Sequence, residues 1–387
     1  MIDFTLTDEQ QMLIQMTHDF VEKEMLPHEE TLERTDTLPQ KLAASLKKRA
    51  IELGLHACNL PEEVGGGGLD AVSVMLIEKE LGRTSLALAE CAHRPLNILA
   101  SCEGEQVTKF LEPTIRGEKR DCIAMTEPGA GSDLRGMKCK AVLEKDEWII
   151  NGEKHFISQA SISDYCVLFA ATGEDETDKG LKKRISAFLV DFNDHGVEVA
   201  PGYKNVSHRG YTNNILRFDN ARIPRWRIMG PEGDGFRIVN QWLGPTRLTV
   251  AATCVARAER AFEIALNYSA TREQFGQKIG KFQGISFELA DMATEIKMAN
   301  LMLLETAWKI DQGSVTPEDC AMTKLFCSEM LSRVADQSIQ TVGGMGLMED
   351  LPLERIWRDA RLERIWDGTS EIQRHIISRG LLRPLEK

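Results

Sequence analysis

Several short segments of the chain hold residue types that can bind or transform a small molecule. The first is Met125-Thr126-Glu127-Pro128-Gly129-Ala130-Gly131-Ser132-Asp133. Its proline and glycines dictate a tight turn with exposed backbone N–H groups and a hydroxyl towards either end, and such turns suit anionic or carbonyl-rich ligands. An ordinary turn between domains has the same composition. Phe156-Ile157-Ser158 follows, then Arg272-Glu273-Gln274-Phe275-Gly276 with Gln283, then Gln340-Thr341-Val342-Gly343-Gly344-Met345-Gly346, and finally Ile365-Trp366-Asp367-Gly368-Thr369-Ser370-Glu371-Ile372-Gln373. Taken singly, each has a plainer reading. The glycines at 343, 344 and 346 can end a helix, Phe156 can be core, and Arg272 can form a surface ion pair worth about 0–1 kcal/mol.

The elements that must position these residues change along the chain. Thr7 with Glu9 and Gln10 predicts a capped helix carrying Met12, Leu13, Met16, Phe20 and Val21 on one face. Pro39 precedes a second helix, and Val72 to Leu81 has helical spacing. Gly65 to Gly68 must be a loop, since each glycine costs a helix about 1 kcal/mol. From Cys122 the texture is β: Trp148-Ile149-Ile150, Cys166 to Phe169, Ile185 to Val190 and Ile215 to Phe218 are short apolar runs bounded by turn residues. The charged stretch from Glu174 to Arg184 reads as an exposed connection. Helical texture returns after Gly235, with Ile285, Leu289, Met292, Ile296, Ala299 and Leu303 forming a stripe. The expected fold is α+β: a helical domain over 1–121, a middle antiparallel β-barrel or sandwich over 122–232, and a C-terminal four-helix bundle over 233–387.

Composition narrows the function classes. The 387 residues suffice for two or three domains with substantial cores. A net charge of -12 argues against binding a nucleic-acid backbone. The nine cysteines fall at irregular spacings without a CxxC pair, which reads as reduced thiols. No GxGxxG lies between a strand and a helix, and His93, His155, His195 and His208 have no partner at metal-ligand spacing, so no metal is expected. The acidic, amphipathic start lacks the features of a signal or transit peptide, and no run approaches the roughly 20 apolar residues of a membrane helix. A cytoplasmic protein is expected.

Taken in order and spacing, the chemistry-bearing segments resemble the acyl-CoA dehydrogenase family, and the resemblance runs from the first helix to Gly380. It implies FAD bound between the β domain and the second helical domain, with a neighbouring subunit closing the site. Thr126 then meets the flavin ring, Ser132 the flavin phosphate or the CoA moiety, Phe156 packs near the ring system in place of the usual Trp, and Ser158 replaces the usual Thr beside flavin N5. Arg272, Phe275, Gln283, Gln340 and Gly344 match cofactor contacts made across the subunit interface. Thr369 and Glu371 match further cofactor contacts, although the family more often has Gln at the latter. Trp366, Gly368, Arg247 and Ser132 match the substrate side. A homo-oligomer built as a dimer of dimers and an electron-transfer flavoprotein as acceptor follow from the same resemblance.

The implied reaction removes hydrogen from Cα and Cβ of an acyl-CoA thioester to give the 2-enoyl-CoA. A base takes the α-proton, and the family holds the developing enolate partly through the backbone N–H of the base residue. Most members place Glu where this chain has Asp367, in I-W-D-G-T. A second branch carries its base beside Arg247, but Thr246 occupies that position here. Asp367 is therefore the catalytic candidate, with Arg247 near it, and its reach is about 1.5 Å shorter than that of Glu. A lyase or desulfinase on the same fold, without net oxidation, is the alternative, and a non-catalytic thioester-binding protein a third. The helix including residues near 84–100 is expected to line the acyl pocket, where His93 and Arg94 suggest a short, polar, even anionic acyl group. Arg94 can instead point to solvent or pair with Glu90 at i, i+4 spacing.

Overall fold

The computed structural model describes residues 5–177 and 180–386. Thr7 opens α1 (Asp8–Phe20) with a capping box: its hydroxyl accepts from the Gln10 amide, and the Gln10 side chain accepts from the Thr7 amide. Phe20 and Val21 are buried as the periodicity requires, but Met12 is 65 % exposed and lies off that face. The domain continues through α2 (Glu29–Thr35), α3 (Gln40–Glu52), α4 (Ala71–Leu81), α5 (Leu86–Ala89) and α6 (Glu112–Ile115). The glycine run before α4 is a turn folded tightly on Leu60, whose carbonyl oxygen would stand 2.2 Å from a Cβ at Gly66. Residues 84–100 are not one helix. After α5 the chain turns through Pro95, which has no N–H to continue a helical ladder, into a single-turn segment at Asn97–Ser101.

The middle domain is an eight-stranded sheet of β1 (Asp121–Ala124), β2 (Lys140–Glu144), β3 (Glu147–Ser158), β4 (Tyr165–Thr177), β5 (Gly180–Asp191), β6 (Val197–Pro201), β7 (Asn213–Pro224) and β8 (Ile228–Met229). Its order is β6-β7-β3-β2-β4-β5-β8, with β1 paired to β4. The pairing is antiparallel except for β1 on β4 and one β2–β4 pair. Alternate residues of β4 serve two cores. Tyr165, Val167 and Phe169 meet Phe110 of the first domain and Ile238 of the third, while Cys166, Leu168 and Ala170 meet Trp148, Phe188 and Leu216 inside the sheet. The stretch from Glu174 to Arg184 is not a loose connection: β4 and β5 run through it, pairing Glu174 with Lys183 and Asp175 with Lys182. Opposite charges facing across the ladder favour that pairing. Asp178 and Lys179, within that stretch, and Met1 to Phe4, the first residues of the segment read for a leader, lie outside the described residues.

The third domain begins with α7 (Gly235–Thr271), then a hairpin of β9 (Glu273–Gln274) and β10 (Gln277–Lys278), then α8 (Gln283–Asp311), α9 (Pro317–Val342), α10 (Leu353–Glu363) and α11 (Ser370–Leu382). The expected α8 stripe is buried from Leu289 to Leu303 and joins one core shared with α1 and α4. Among the described residues no helix is long and apolar enough to cross a membrane.

Candidate active site

A cavity of about 250 Å³ opens where α4, α5, the start of β1, the end of β3, α7 and the link between α10 and α11 converge. Val74, Met75, Leu86, Trp242 and Val250 give it apolar wall, and Trp366 and Asp367 stand on the link. Asp367 adopts φ 51° and Gly368 φ 92°, so the link turns sharply through two left-handed residues. A non-glycine residue held there costs about 1–3 kcal/mol, which surrounding contacts must over-determine. The Thr246 hydroxyl, on α7, lies 3.5 Å from Asp367 Oδ2.

Burial pushes the Asp367 carboxyl up to about 6, against the pull of the Lys324 ammonium and the Arg247 guanidinium, while Glu363 adds to the rise. Arg247 is itself buried, and among the described residues its Nε has no partner. The Asp367 backbone N–H likewise donates to no described acceptor, although its neighbours Ile365 and Trp366 both donate to Leu362. An ionisable carboxylate and a free main-chain donor therefore share one residue at the cavity.

Behind the link, Trp366 is locked from two sides. Its indole Nε1 donates to Glu363 Oε2 at 2.7 Å, and its ring stacks on His208 with centroids 5.4 Å apart. Glu363 is fully buried with Arg257 at 2.5 Å and His208 at 3.3 Å. Burial opposes a charge on His208, but Asp359 and Glu363 outweigh it and raise its pKa.

The far wall of the cavity is charged yet internally paired. Arg94 binds Glu78 through Nε at 2.5 Å and Nη2 at 2.9 Å, with Glu90 more distant at 3.7 Å. Arg94 is thus neither solvated nor chiefly the partner of Glu90. Arg120 takes Glu90 at 3.1 Å, and His93 meets Asp121 at 2.5 Å.

The glycine-rich turn is fastened to β3. Lys154, buried to 0 % exposure, donates to Met125 O and to Glu127 Oε1, each at 2.8 Å, and His155 N donates to Thr126 O at 2.8 Å. The Glu127 carboxylate accepts from the amides of Lys138 and Cys139. Held this way, the turn leaves the amides of Gly129, Gly131 and Ser132 without a described acceptor, and no atom lies within 4 Å of a Cβ built at Gly129 or Gly131. A few residues on, at the C-terminal end of β3, Ser158 lines the cavity, while Phe156 is 57 % exposed beside Tyr203.

Comparison with known proteins decides the family. Three acyl-CoA dehydrogenase domain models match in succession: the N-terminal domain over residues 7–118, the middle domain over 122–221 and the C-terminal domain over 233–382. The chain belongs to the acyl-CoA dehydrogenase family. This acyl-CoA dehydrogenase, an oxidoreductase acting on CH–CH, is 38 % identical to a Bacillus subtilis (strain 168) protein named probable acyl-CoA dehydrogenase YngJ, over 99 % of this chain and 100 % of that one. Butyryl-CoA dehydrogenase from Megasphaera elsdenii superposes with a TM-score of 0.90 at 31 % identity, covering 99 % of this chain and 100 % of that one. A structure of PigA with FAD and proline superposes with a TM-score of 0.89 at 30 % identity, covering 98 % and 99 %.

FAD is the cofactor of the family, and the dehydrogenase has features that fit it. The open amides of the 129–132 turn suit phosphate, the exposed Phe156 ring offers a flat apolar face, and Ser158 shares the cavity with Asp367. Of the residues expected at the site, Ser158, Trp366, Asp367 and Arg94 come together around the cavity, with Gly368 and Arg247 adjoining Asp367 in sequence and in space. Thr369 caps α11, its hydroxyl accepting from Ile372 N, and Glu371 is exposed in the first turn of that helix. Ser132, Arg272, Phe275, Gln283, Gln340 and Gly344 lie exposed, outside the cavity. Phe275 is 95 % exposed at the tip of the β9–β10 hairpin.

Sequence reading overlooked Glu78, Lys324, Glu363 and Tyr211. Glu78 carried a usable signal, since it interrupts the apolar run Val74-Met75-Leu76-Ile77 on a helix buried along most of its length. Lys324 and Glu363 look in the sequence like solvated helix positions, and only packing shows them buried.

Proposed function

We propose that this dehydrogenase oxidises a short, polar acyl-CoA to its 2-enoyl-CoA, with Asp367 as the base. The supporting observation is the Asp367 carboxyl, standing at the cavity with its pKa raised to about 6. A base so tuned is ionised at neutral pH yet basic enough to take the α-proton. Bound FAD supplies the hydride acceptor that α,β-dehydrogenation requires. Asp367 Oδ receives the α-proton, and the Asp367 N–H is free to donate to the thioester carbonyl oxygen as negative charge develops there. Arg247 keeps the carboxylate ionised, while Trp366 and Gly368 border the thioester. Thr126, Ser132, Phe156, Ser158, Thr369 and Glu371 are the contacts proposed for FAD. Arg272, Phe275, Gln283, Gln340 and Gly344 are proposed to reach the cofactor of a neighbouring subunit in a homo-oligomer, a dimer of dimers. An aromatic ring as exposed as Phe275 supports that assignment. Electron-transfer flavoprotein is the proposed acceptor.

The paired wall of Glu78, Arg94, Glu90 and Arg120 supports a short acyl group with a neutral hydrogen-bonding end. A long alkyl tail gains nothing against buried charges. An anionic end gains little either, because Glu78 already neutralises Arg94. The test is an anaerobic titration of the purified holoprotein with a panel of acyl-CoA thioesters, following the flavin absorption band. Short polar thioesters should bleach it before long straight-chain ones, and Arg94→Met should shift the ranking toward apolar chains. The same ranking in both proteins removes the polar-wall reading. A yellow protein that no thioester bleaches would favour the lyase, to which the shortened carboxylate already points.

A further inference from the structure

The chain keeps a lysine where an ammonium is costly. Lys324 is 0 % exposed on α9, and among the described residues it makes no ion pair with a carboxylate. Burying an unpaired ammonium is strongly unfavourable unless hydrogen bonds compensate. Its Nζ donates to two main-chain carbonyls, those of Trp366 at 3.0 Å and Gly368 at 2.9 Å. These are the residues on either side of Asp367. Gln373, from α11, donates through Nε2 to the carbonyls of Asp367 at 3.2 Å and Gly368 at 2.7 Å. Three consecutive carbonyls are thereby tied down at the point where the backbone passes through φ 51°.

We propose that Lys324 is the positioning residue for Asp367, fixing through the flanking carbonyls where its carboxylate stands and setting a cation beside it. The proposal rests on Asp367 being the base. The clamp explains how a non-glycine residue stays in the left-handed region, because two bonds from a buried ammonium would be lost if the link relaxed. It also bears on the shortened side chain. With one methylene fewer, the carboxylate has less freedom to find the α-proton, so the backbone must carry the placement.

Other groups face Asp367 from each packed element: Arg247 and Thr246 from α7, Glu363 from α10, and Tyr211 from the segment before β7. Burial drives the Asp367 pKa up, and Lys324 is the largest influence drawing it back. Glu363 pushes the other way but is engaged by Arg257, His208 and the Trp366 indole. Arg247 remains when Lys324 is removed, so part of the downward pull survives.

The test uses the FAD-loaded protein carrying Lys324→Met, with Lys324→Gln alongside. Lys324→Met removes charge and donors, and Lys324→Gln keeps a donor without the charge. In Lys324→Met the acid limb of the pH profile for flavin bleaching should move up by about one unit. The limiting rate should fall about a hundredfold, with the half-saturating thioester concentration little changed. Lys324→Gln should show the same pH shift and a smaller loss of rate. Infrared difference titration of the carboxylic acid band that disappears in Asp367→Asn reads the same pKa without turnover, and should rise in both variants. An unmoved pKa and a rate within about twofold of the parent in a folded Lys324→Gln protein would overturn the proposal. Should Lys324→Met fail to fold, Lys324→Gln decides alone. Asp367→Asn separates the two readings: if it is inactive while the lysine variants behave as the parent, only the Lys324 proposal falls. If it is fully active, the base assignment falls and takes the proposal with it.

Discussion

Asp367 carries two consequences of one physical fact, its removal from water. Its carboxyl titrates near 6 in the folded protein against 3.8 for an ordinary aspartate. Only the ionised form can accept a proton. With Asp367 as the proposed base, turnover should therefore be flat above pH 7 and fall about tenfold per unit well below 6. Folding works in the opposite direction. The unfolded chain releases this proton near 3.8 and the folded chain only near 6, so stability is lost as pH rises between those values and stays lost above them. Asp367→Asn should abolish bleaching by substrate and yet raise Tm at pH 7, with the gain vanishing near pH 4. Thermal denaturation followed at the two pH values checks it, and an equal Tm gain at both would show that the charge is not the cause.

At the scale of elements, α9 is the helix that delivers Lys324, and its start is specified locally. The Thr316 hydroxyl accepts from Asp319 N at 3.2 Å, the Asp319 carboxylate accepts from Thr316 N at 2.9 Å, and Pro317 occupies the first turn. Asp319 also holds Lys309 at the end of α8 at 2.9 Å, so one cap fastens two helices. Removing the capping oxygen with Thr316→Ala should cost about 1 kcal/mol in urea denaturation. The site is remote, so the pH profile should stay as in the parent. Among the elements that line the cavity itself, α7 contains Pro245, which has no N–H to give to the preceding turn. Pro245 and Thr246 line the cavity at that point.

The whole molecule is joined by Glu29, buried on α2 in the first domain. Its carboxylate takes both Nη atoms of Arg260 on α7 at 2.9 Å, Arg355 on α10 at 2.9 Å and the Thr84 hydroxyl at 2.9 Å. One side chain thus ties the two helical domains around the core they share. Glu29→Gln leaves two partly buried guanidinium groups short of their anion, and should cost about 3 kcal/mol of stability in equilibrium unfolding. A loss below about 1 kcal/mol would mean that water reaches the arginines and the tie is dispensable.

Much of this was legible in the residues themselves. Period-3.6 and period-2 patterns are local, so the α8 stripe, the cap at Thr7 and the apolar β runs predicted their elements. The ordered set from Thr126 to Gln373 pointed to the family, because a cofactor-binding chain must keep those residue types at those spacings. Local patterns stopped short where partners lie far apart in sequence. The stretch from Glu174 to Arg184 looked like a loop because its charges satisfy no one-face pattern, and only the facing strand turns them into cross-strand pairs. Arg94 looked free or bound to Glu90 because Glu78 lies on another helix. Lys324 looked solvated because neither its burial nor the carbonyls it binds follow from its neighbours. The sequence by itself determined most of the elements, their order and the acid that stands at the cavity. Tertiary structure alone decided which charges are removed from water and which partners meet them, because desolvation and pairing depend on distances that only the packed chain sets.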